Sequence, residues 1–186
     1  MKIGTDVRIS PHAVIVRPEL VEIGDYVAID PFTVITTALK LGNYIHIAPH
    51  CSIIGGSSGR LVMKDFSSLA AGCRIICSSD DYTGDGLNGA TIPLQYRVVK
   101  CTTITIERFA SLATNVIVFP GVTIGEGAVV AAGGIVNKNL EAWGIYVGTP
   151  VRRVGERRRD KILVFAEEIM RARPVPGDEV GPRPAR

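Results

Sequence analysis

Large aromatic side chains are scarce in this sequence: Phe, Trp and Tyr make up 6% of its 186 residues, although hydrophobic residues reach 46%. A thick core built around large rings is therefore not expected, because such cores draw much of their buried area from aromatics. No apolar run is long enough to cross a bilayer, and Met1-Lys2-Ile3-Gly4 does not open a secretory leader. The expectation is a soluble, cytoplasmic protein. In such a chain the four cysteines do not form a disulfide framework. Cys73 and Cys77 are too far apart for a zinc knuckle and lack a second ligand pair nearby. Cys51 and Cys73 read instead as small core residues. Histidine is limited to His12, His46 and His50. The net charge of +3 hides an asymmetry, since Arg152, Arg153, Arg157, Arg158, Arg159, Lys161, Arg171 and Arg173 crowd the C-terminal end. Such an end attracts nucleic acid, anionic lipid or a phosphorylated cofactor. It lacks the interleaved aromatics that stack on bases, so no nucleic-acid partner is expected.

What the sequence does have is a repeat. Aliphatic residues return at every sixth position: Ile3, Ile9, Ile15; then Ile23, Ile29, Ile35, Leu41, Ile47, Ile53; then Met63, Leu69, Ile75; and finally Ile106, Leu112, Val118, Ile124, Val130, Val136. Small or β-branched residues sit two positions earlier in the last run, at Ala110, Val116, Val122, Ala128 and Gly134. A period of six matches neither the 3.6 of a helix nor the 2 of a lone strand. It matches an all-β solenoid in which each hexad is one short strand and a turn, and three hexads close a triangular coil. Equivalent aliphatics then stack from coil to coil in a narrow core, each contributing about 1.5–3 kcal/mol on burial. The period leaves handedness open.

The repeat slips at three places. Pro18 to Glu22 is a minor slip, and Gly55-Gly56-Ser57-Ser58-Gly59 is a flexible bulge without the lysine of a phosphate loop. The large break is an inserted loop at about 78–103, polar, rich in glycine and out of phase. Long irregular insertions in regular folds carry function or solvate freely. Asp80, Asp81, Tyr82, Asp85, Asn88 and Gln95 have the chemistry to meet hydroxyl and amine groups of a polar substrate. The β-helix domain is expected over 1–154 and a short capping helix over 155–173. In that helix Ile162, Phe165, Ala166 and Met170 share one face. Residues 174–186 read as a disordered tail.

The stretch IERFASLATNVIVFPGVTIGEGAVVAAGGIVNKNLEAWGIYVGTPVRRV resembles the C-terminal half of the hexapeptide-repeat acetyltransferases, most specifically in FPGVTIGEGAVVAAG and YVGTPVRRV. These include sugar O-acetyltransferases and nucleotide-amino-sugar N-acetyltransferases of surface-polysaccharide pathways. The resemblance implies a left-handed parallel β-helix and a homotrimer with an active site at each subunit interface. The implied acyl donor is acetyl-CoA, lying in the groove between neighbouring prisms. Ala113, Ala131 and Ala132 match positions where the family's backbone meets the pantetheine arm. Lys138, Thr149, Arg152 and Arg153 match positions near the nucleotide end, where guanidinium suits phosphate. Many members place a histidine base in the loop before the ITI strand; this chain reads SSDDYTG there and has none.

Acyl transfer to a hydroxyl needs a base, so His46 is the candidate, with Asp80 or Asp81 orienting it or the acceptor. Tyr82, Asn88 and Gln95 are the candidate substrate contacts. If the acceptor is an amine, it attacks unaided, and the enzyme need only align it and stabilise charge. The expected acceptor is a sugar or nucleotide-sugar, with O- and N-transfer both open. No metal site is expected. Two other readings stay in view: a γ-type carbonic-anhydrase-like zinc protein using the three histidines across a trimer interface, and a non-catalytic β-helix scaffold.

Overall fold

The computed structural model describes residues 1–172. The chain winds as a left-handed parallel β-helix of about seven turns. Three sheets form the faces of the prism, and each successive coil adds one strand of two to four residues to every sheet.

Register shows why the period of six matters. On the first face Ile3, Ile23, Leu41, Met63, Ile106 and Ile124 are successive partners. On the second, Ile9, Ile29, Ile47, Leu69, Leu112 and Val130 follow one another. On the third, the partners are Ile15, Ile35, Ile53, Ile75, Val118 and Val136. The hexad residues are thus the inward ladders, and the small residues before them are buried beside them. Cys51, Cys73 and Cys77 belong to the same core. The Cys73 thiol, a free thiol, is held protonated by its hydrogen bond with Cys51 and by burial, and burial pushes Cys77 up to about 12.

The two unbroken corners are built by residues in the left-handed backbone region, and several of these are aromatic rather than glycine. Between the first and second faces, Tyr26, Tyr44, Phe66 and Phe109 stack ring on ring at 4.7–5.4 Å. Trp143 continues the column 6.0 Å from Phe109. Gly127 fills the corner between them because a Cβ there would collide with the Trp143 ring. Five of the eleven aromatics therefore form a ladder outside the prism core, where stacking adds about 0.5–1.5 kcal/mol per pair beyond area.

The C-terminal helix, Asp160–Arg171, lies along this ladder. Ala166 is buried against Phe109 and Trp143, with Phe66, Ile162 and Leu163 packed around them. The helix flanks the prism instead of covering its end. The end is closed by the antiparallel strands Gly144–Gly148 and Val151–Glu156, which place Tyr146 over Val130 and bury Val151. Phe165 and Met170, expected on the buried face, remain exposed, and the face that meets the ladder is formed by Ile162, Leu163 and Ala166. Arg157 secures the approach to the helix by donating to the carbonyls of Phe109 and Gly127. The tail read as 174–186 lies outside the described residues.

All three slips in the repeat fall at the corner joining the third face to the first. They appear as a 3-10 turn at Pro18–Leu20, a turn around Gly55–Gly59, and the long insertion. The insertion is not formless. Ser78–Asp80 pairs antiparallel with Val99–Cys101, so it leaves the prism as a two-stranded stalk.

Candidate functional site

A cavity of about 470 Å³ lies where the stalk leans over the third face. Its wall on the prism side is apolar: Ile54, Ile76 and Phe119, with Pro120. Ile54 and Ile76 end their strands and Phe119 directly follows its own, in three coils of that face, so the regular repeat itself supplies an apolar floor. The opposite wall comes from the insertion and carries the polar groups: Ser78, Ser79, Asp80, Tyr82 and Arg97, together with Ala90 and Val99. An apolar floor with a few converging polar groups is the usual form of a small-molecule site.

The polar wall is organised by Asp80. Its Oδ1 accepts from Arg97 Nε at 3.0 Å and Nη2 at 2.6 Å, and its Oδ2 accepts from the Gly89 amide at 2.9 Å. The Gly89 amide and then the Arg97 guanidinium hold the Asp80 carboxyl below the usual carboxylate range. Asp81 is also committed: it gathers the Thr83 hydroxyl and the amides of Thr83, Gly84 and Asp85. The Thr83 hydroxyl leads in lowering its pKa. Both aspartates are therefore weak bases at neutral pH. A fixed negative charge is what Asp80 can offer a ligand.

The expected residues distribute as follows. Tyr82 lines the cavity and is exposed, whereas Asn88, also exposed, donates to the Asp81 carbonyl. Gln95 lines a second cavity of about 440 Å³ on the other side of Arg97, with Asp85 and Tyr96. His46 sits on a strand of the second face, not at a corner, and its Nε2 lies 2.7 Å from Asp30 Oδ2. Its carboxylate partner is thus Asp30 rather than Asp80 or Asp81. Asp30 follows the strand one coil below, where Ala28 pairs with His46, so the repeat brings it to the same face. His12 and His50 stack on either side of the Phe32 ring. Within the chain, no three His, Cys, Asp or Glu among the described residues are grouped to hold a metal.

Ala113, Ala131 and Thr149 come together along the corner between the second and third faces. The Ala113 amide donates to Val130 and the Ala131 amide to Tyr146, while the Thr149 hydroxyl donates to the Gly133 carbonyl. The amides of Ala113 and Ala131 are consumed by the coil ladder, and their carbonyls accept from Val116 and Gly134, so a ligand there would meet the exposed Ala132. Arg152 and Arg153 are exposed on the closing hairpin opposite Val147 and Tyr146, and Arg153 is paired with Glu141 at 3.1 Å. Lys138 is exposed two residues past the last strand of the third face.

Sequence reasoning missed Arg97, Asp30 and the apolar floor. Arg97 carried a signal: it is the sole cation in residues 78–99, among three aspartates. Ile54, Ile76 and Phe119 each directly follow an inward hexad residue, which places them outward.

No family model matches the chain. A dTDP-4-amino-4,6-dideoxy-D-glucose acyltransferase of Escherichia coli is 29% identical over 172 residues, covering 91% of this chain and 88% of that protein. AntD, an N-acyltransferase from Bacillus cereus solved in complex with dTDP and 3-hydroxybutyryl-CoA, is 35% identical. It covers 92% of this chain and 90% of its own, with a TM-score of 0.88. A hexapeptide-repeat-containing acetyltransferase from Vibrio cholerae shares the fold at 21% identity and a TM-score of 0.50, over 84% of this chain and 74% of its own.

Proposed function

Because this chain belongs to the hexapeptide-repeat acyltransferase family, we propose that it moves an acyl group from a CoA thioester to the amine of a nucleotide-linked amino sugar. The observation that carries the amine is the cavity beside the insertion, which offers a carboxylate and a guanidinium but no imidazole. An alcohol needs a base to become a nucleophile, whereas a neutral amine already is one. The Escherichia coli relative acts by name on a dTDP-linked 4-amino sugar over nearly the whole length of this chain. A variant of AntD has been solved with dTDP-4-amino-4,6-dideoxyglucose and coenzyme A.

In this mechanism the amine nitrogen attacks the thioester carbonyl, and the C–N bond forms as the carbonyl oxygen takes up the electron pair. The nitrogen becomes positive, and Asp80, held ionised, stabilises that charge across the cavity. Collapse of the intermediate breaks the C–S bond, and the nitrogen proton leaves with the thiolate as free CoA thiol. The apolar floor of Ile54, Ile76 and Phe119 receives the carbon face of the sugar. The donor lies along the Ala113–Ala131–Ala132 corner with its phosphates toward Lys138, Thr149, Arg152 and Arg153. The assembly is a homotrimer in which a neighbouring prism completes the groove, and its place is the cytoplasm, where surface-polysaccharide precursors are made. The acyl group is acetyl.

A second reading rests on the His46–Asp30 pair, which is built like a general base with its orienting carboxylate. With a hydroxyl acceptor, His46 would take the proton.

Titration with acetyl-CoA in a calorimeter, followed by thiol release with dTDP-4-amino-4,6-dideoxyglucose and with its 4-hydroxy analogue, tests the proposal. Saturable binding and release with the amine alone are expected. Replacing Arg152 and Arg153 together with alanine is expected to weaken acetyl-CoA about tenfold or more, since each charge-assisted phosphate bond is worth about 1.5–3 kcal/mol. Absence of binding at millimolar acetyl-CoA would sink the reading. Release with the 4-hydroxy analogue alone would move it to His46.

A further inference from the structure

The segment 81–98 is ordered almost without apolar burial. Tyr82, Leu87, Leu94, Tyr96 and Val98 are all exposed. Whatever fixes this segment must therefore be polar, and its central contact is the ion pair between Arg97 and Asp80, whose side chains are only 15% and 11% exposed. The pair ties the two ends of the stalk together just above the cavity, and the Gly89 amide adds the middle of the segment to the same carboxylate. Arg97 also lines both cavities of the insertion, so it forms the partition between them.

We infer that Arg97 is a positioning residue for acyl transfer, acting through Asp80 to hold the polar wall of the acceptor cavity at the distance the amine requires. This rests on the function proposed above. Two nitrogens of one guanidinium grip a single carboxylate oxygen, leaving Oδ2 to Gly89 and one further lone pair of that oxygen to a ligand. A lysine supplies the charge but not the planar fork, so it would restore attraction without orientation. No other cation lies between residues 78 and 99 to take its place. Removal of the guanidinium uncovers Asp80 and leaves it one amide donor, so the carboxylate is free to turn toward water and draw the wall with it.

The test is steady-state kinetics on the full chain with acetyl-CoA and dTDP-4-amino-4,6-dideoxyglucose varied separately, for R97A, R97K and D80N. For R97A the kcat/KM for the amino sugar is expected to fall about 10²-fold, the scale of a small misplacement near reacting atoms. Acetyl-CoA affinity by calorimetry stays at the wild-type value. R97K recovers a minor part of the loss, and R97A/D80N is no worse than D80N alone, because Arg97 acts through Asp80. Wild-type kcat/KM in R97A would overturn the inference. A parallel loss of acetyl-CoA affinity would overturn it too, since the damage would then extend beyond the loop. Limited proteolysis separates this inference from the functional reading. If the wild type fails to turn over the amino sugar, the functional reading falls. Faster cleavage within 81–98 in R97A still upholds the clamp, and unchanged cleavage ends it.

Discussion

Leu61→Ala is expected to remove about 2–5 kcal/mol of unfolding free energy, whereas Ile3→Ala removes about 1 kcal/mol or less. Both residues point into the same prism from the same face. Leu61 is fully buried in the fourth coil, between Leu39 below and Ile104 above. Ile3 lies in the first coil, is about half exposed at 49%, and has a partner on one side only. The core is narrow, two inward residues per strand here (Leu61 and Met63), so a deleted side chain leaves a void that neighbouring coils cannot fill without breaking their own register. Stability in a solenoid accumulates from coil-to-coil interfaces, and a central coil contributes two of them. Leu61 also lies next to the strands that bracket the insertion, so its loss should loosen the stalk as well as the prism. Urea denaturation of both variants, at one protein concentration, measures the difference. Equal shifts in midpoint would mean that the first coil is covered in solution and that the ladder is longer than one chain.

What was legible in the sequence follows from the range of the interactions. The ladders through Ile29, Ile47 and Leu69, or Ile35, Ile53 and Ile75, repeat one chemical requirement at one spacing, so the sequence alone places these prism strands, though not those of the stalk or the closing hairpin. The corners are less legible. A left-handed backbone residue usually announces itself as glycine, and here Tyr26, Tyr44, Phe66 and Phe109 occupy such positions because stacking offsets the strain. The helix was legible as a helix, but its docking was not, since the ladder it packs against is assembled from residues scattered from Phe66 to Trp143. In the site, Asp80 stood out as a carboxylate in a polar break, yet its partner Arg97 is seventeen residues away through a segment with no repeat. Nothing local sets such a contact. The pairing of His46 with Asp30 is different in kind. Strand register carries Ala28 to His46, and two residues further along lies Asp30 on the same face. That contact was available from coil arithmetic, whereas composition near His46 pointed to the loop.

The pH profile of the reaction should divide the two mechanisms by orders of magnitude. With an amine acceptor, lowering the pH protonates the nucleophile, so kcat/KM is expected to fall about tenfold per pH unit below the pKa of the acceptor's own amine. Two units below it the rate has dropped about a hundredfold, and above it the profile is flat. The carboxylate that matters does not interrupt this limb. Asp80 is held below the usual carboxylate range by the Gly89 amide and by Arg97, so it stays ionised over the window in which the amine titrates. The clamp is released only on further acidification, as the pH falls through the lowered pKa of Asp80 in the folded chain and the stability of its ionised form is lost. The decisive variation is therefore in the acceptor rather than the enzyme. An amino sugar whose amine is less basic should carry the acid limb to lower pH by the same interval, and H46A should leave both the limb and the turnover essentially in place. Were His46 the base, H46A would lose about 10²–10⁴-fold, and the limb would stay fixed when the acceptor is changed, because the titrating group would belong to the protein. A limb that follows the acceptor locates the proton on the substrate, and the cavity walled by Asp80 and Arg97 then needs only to align two reactants and to hold one charge.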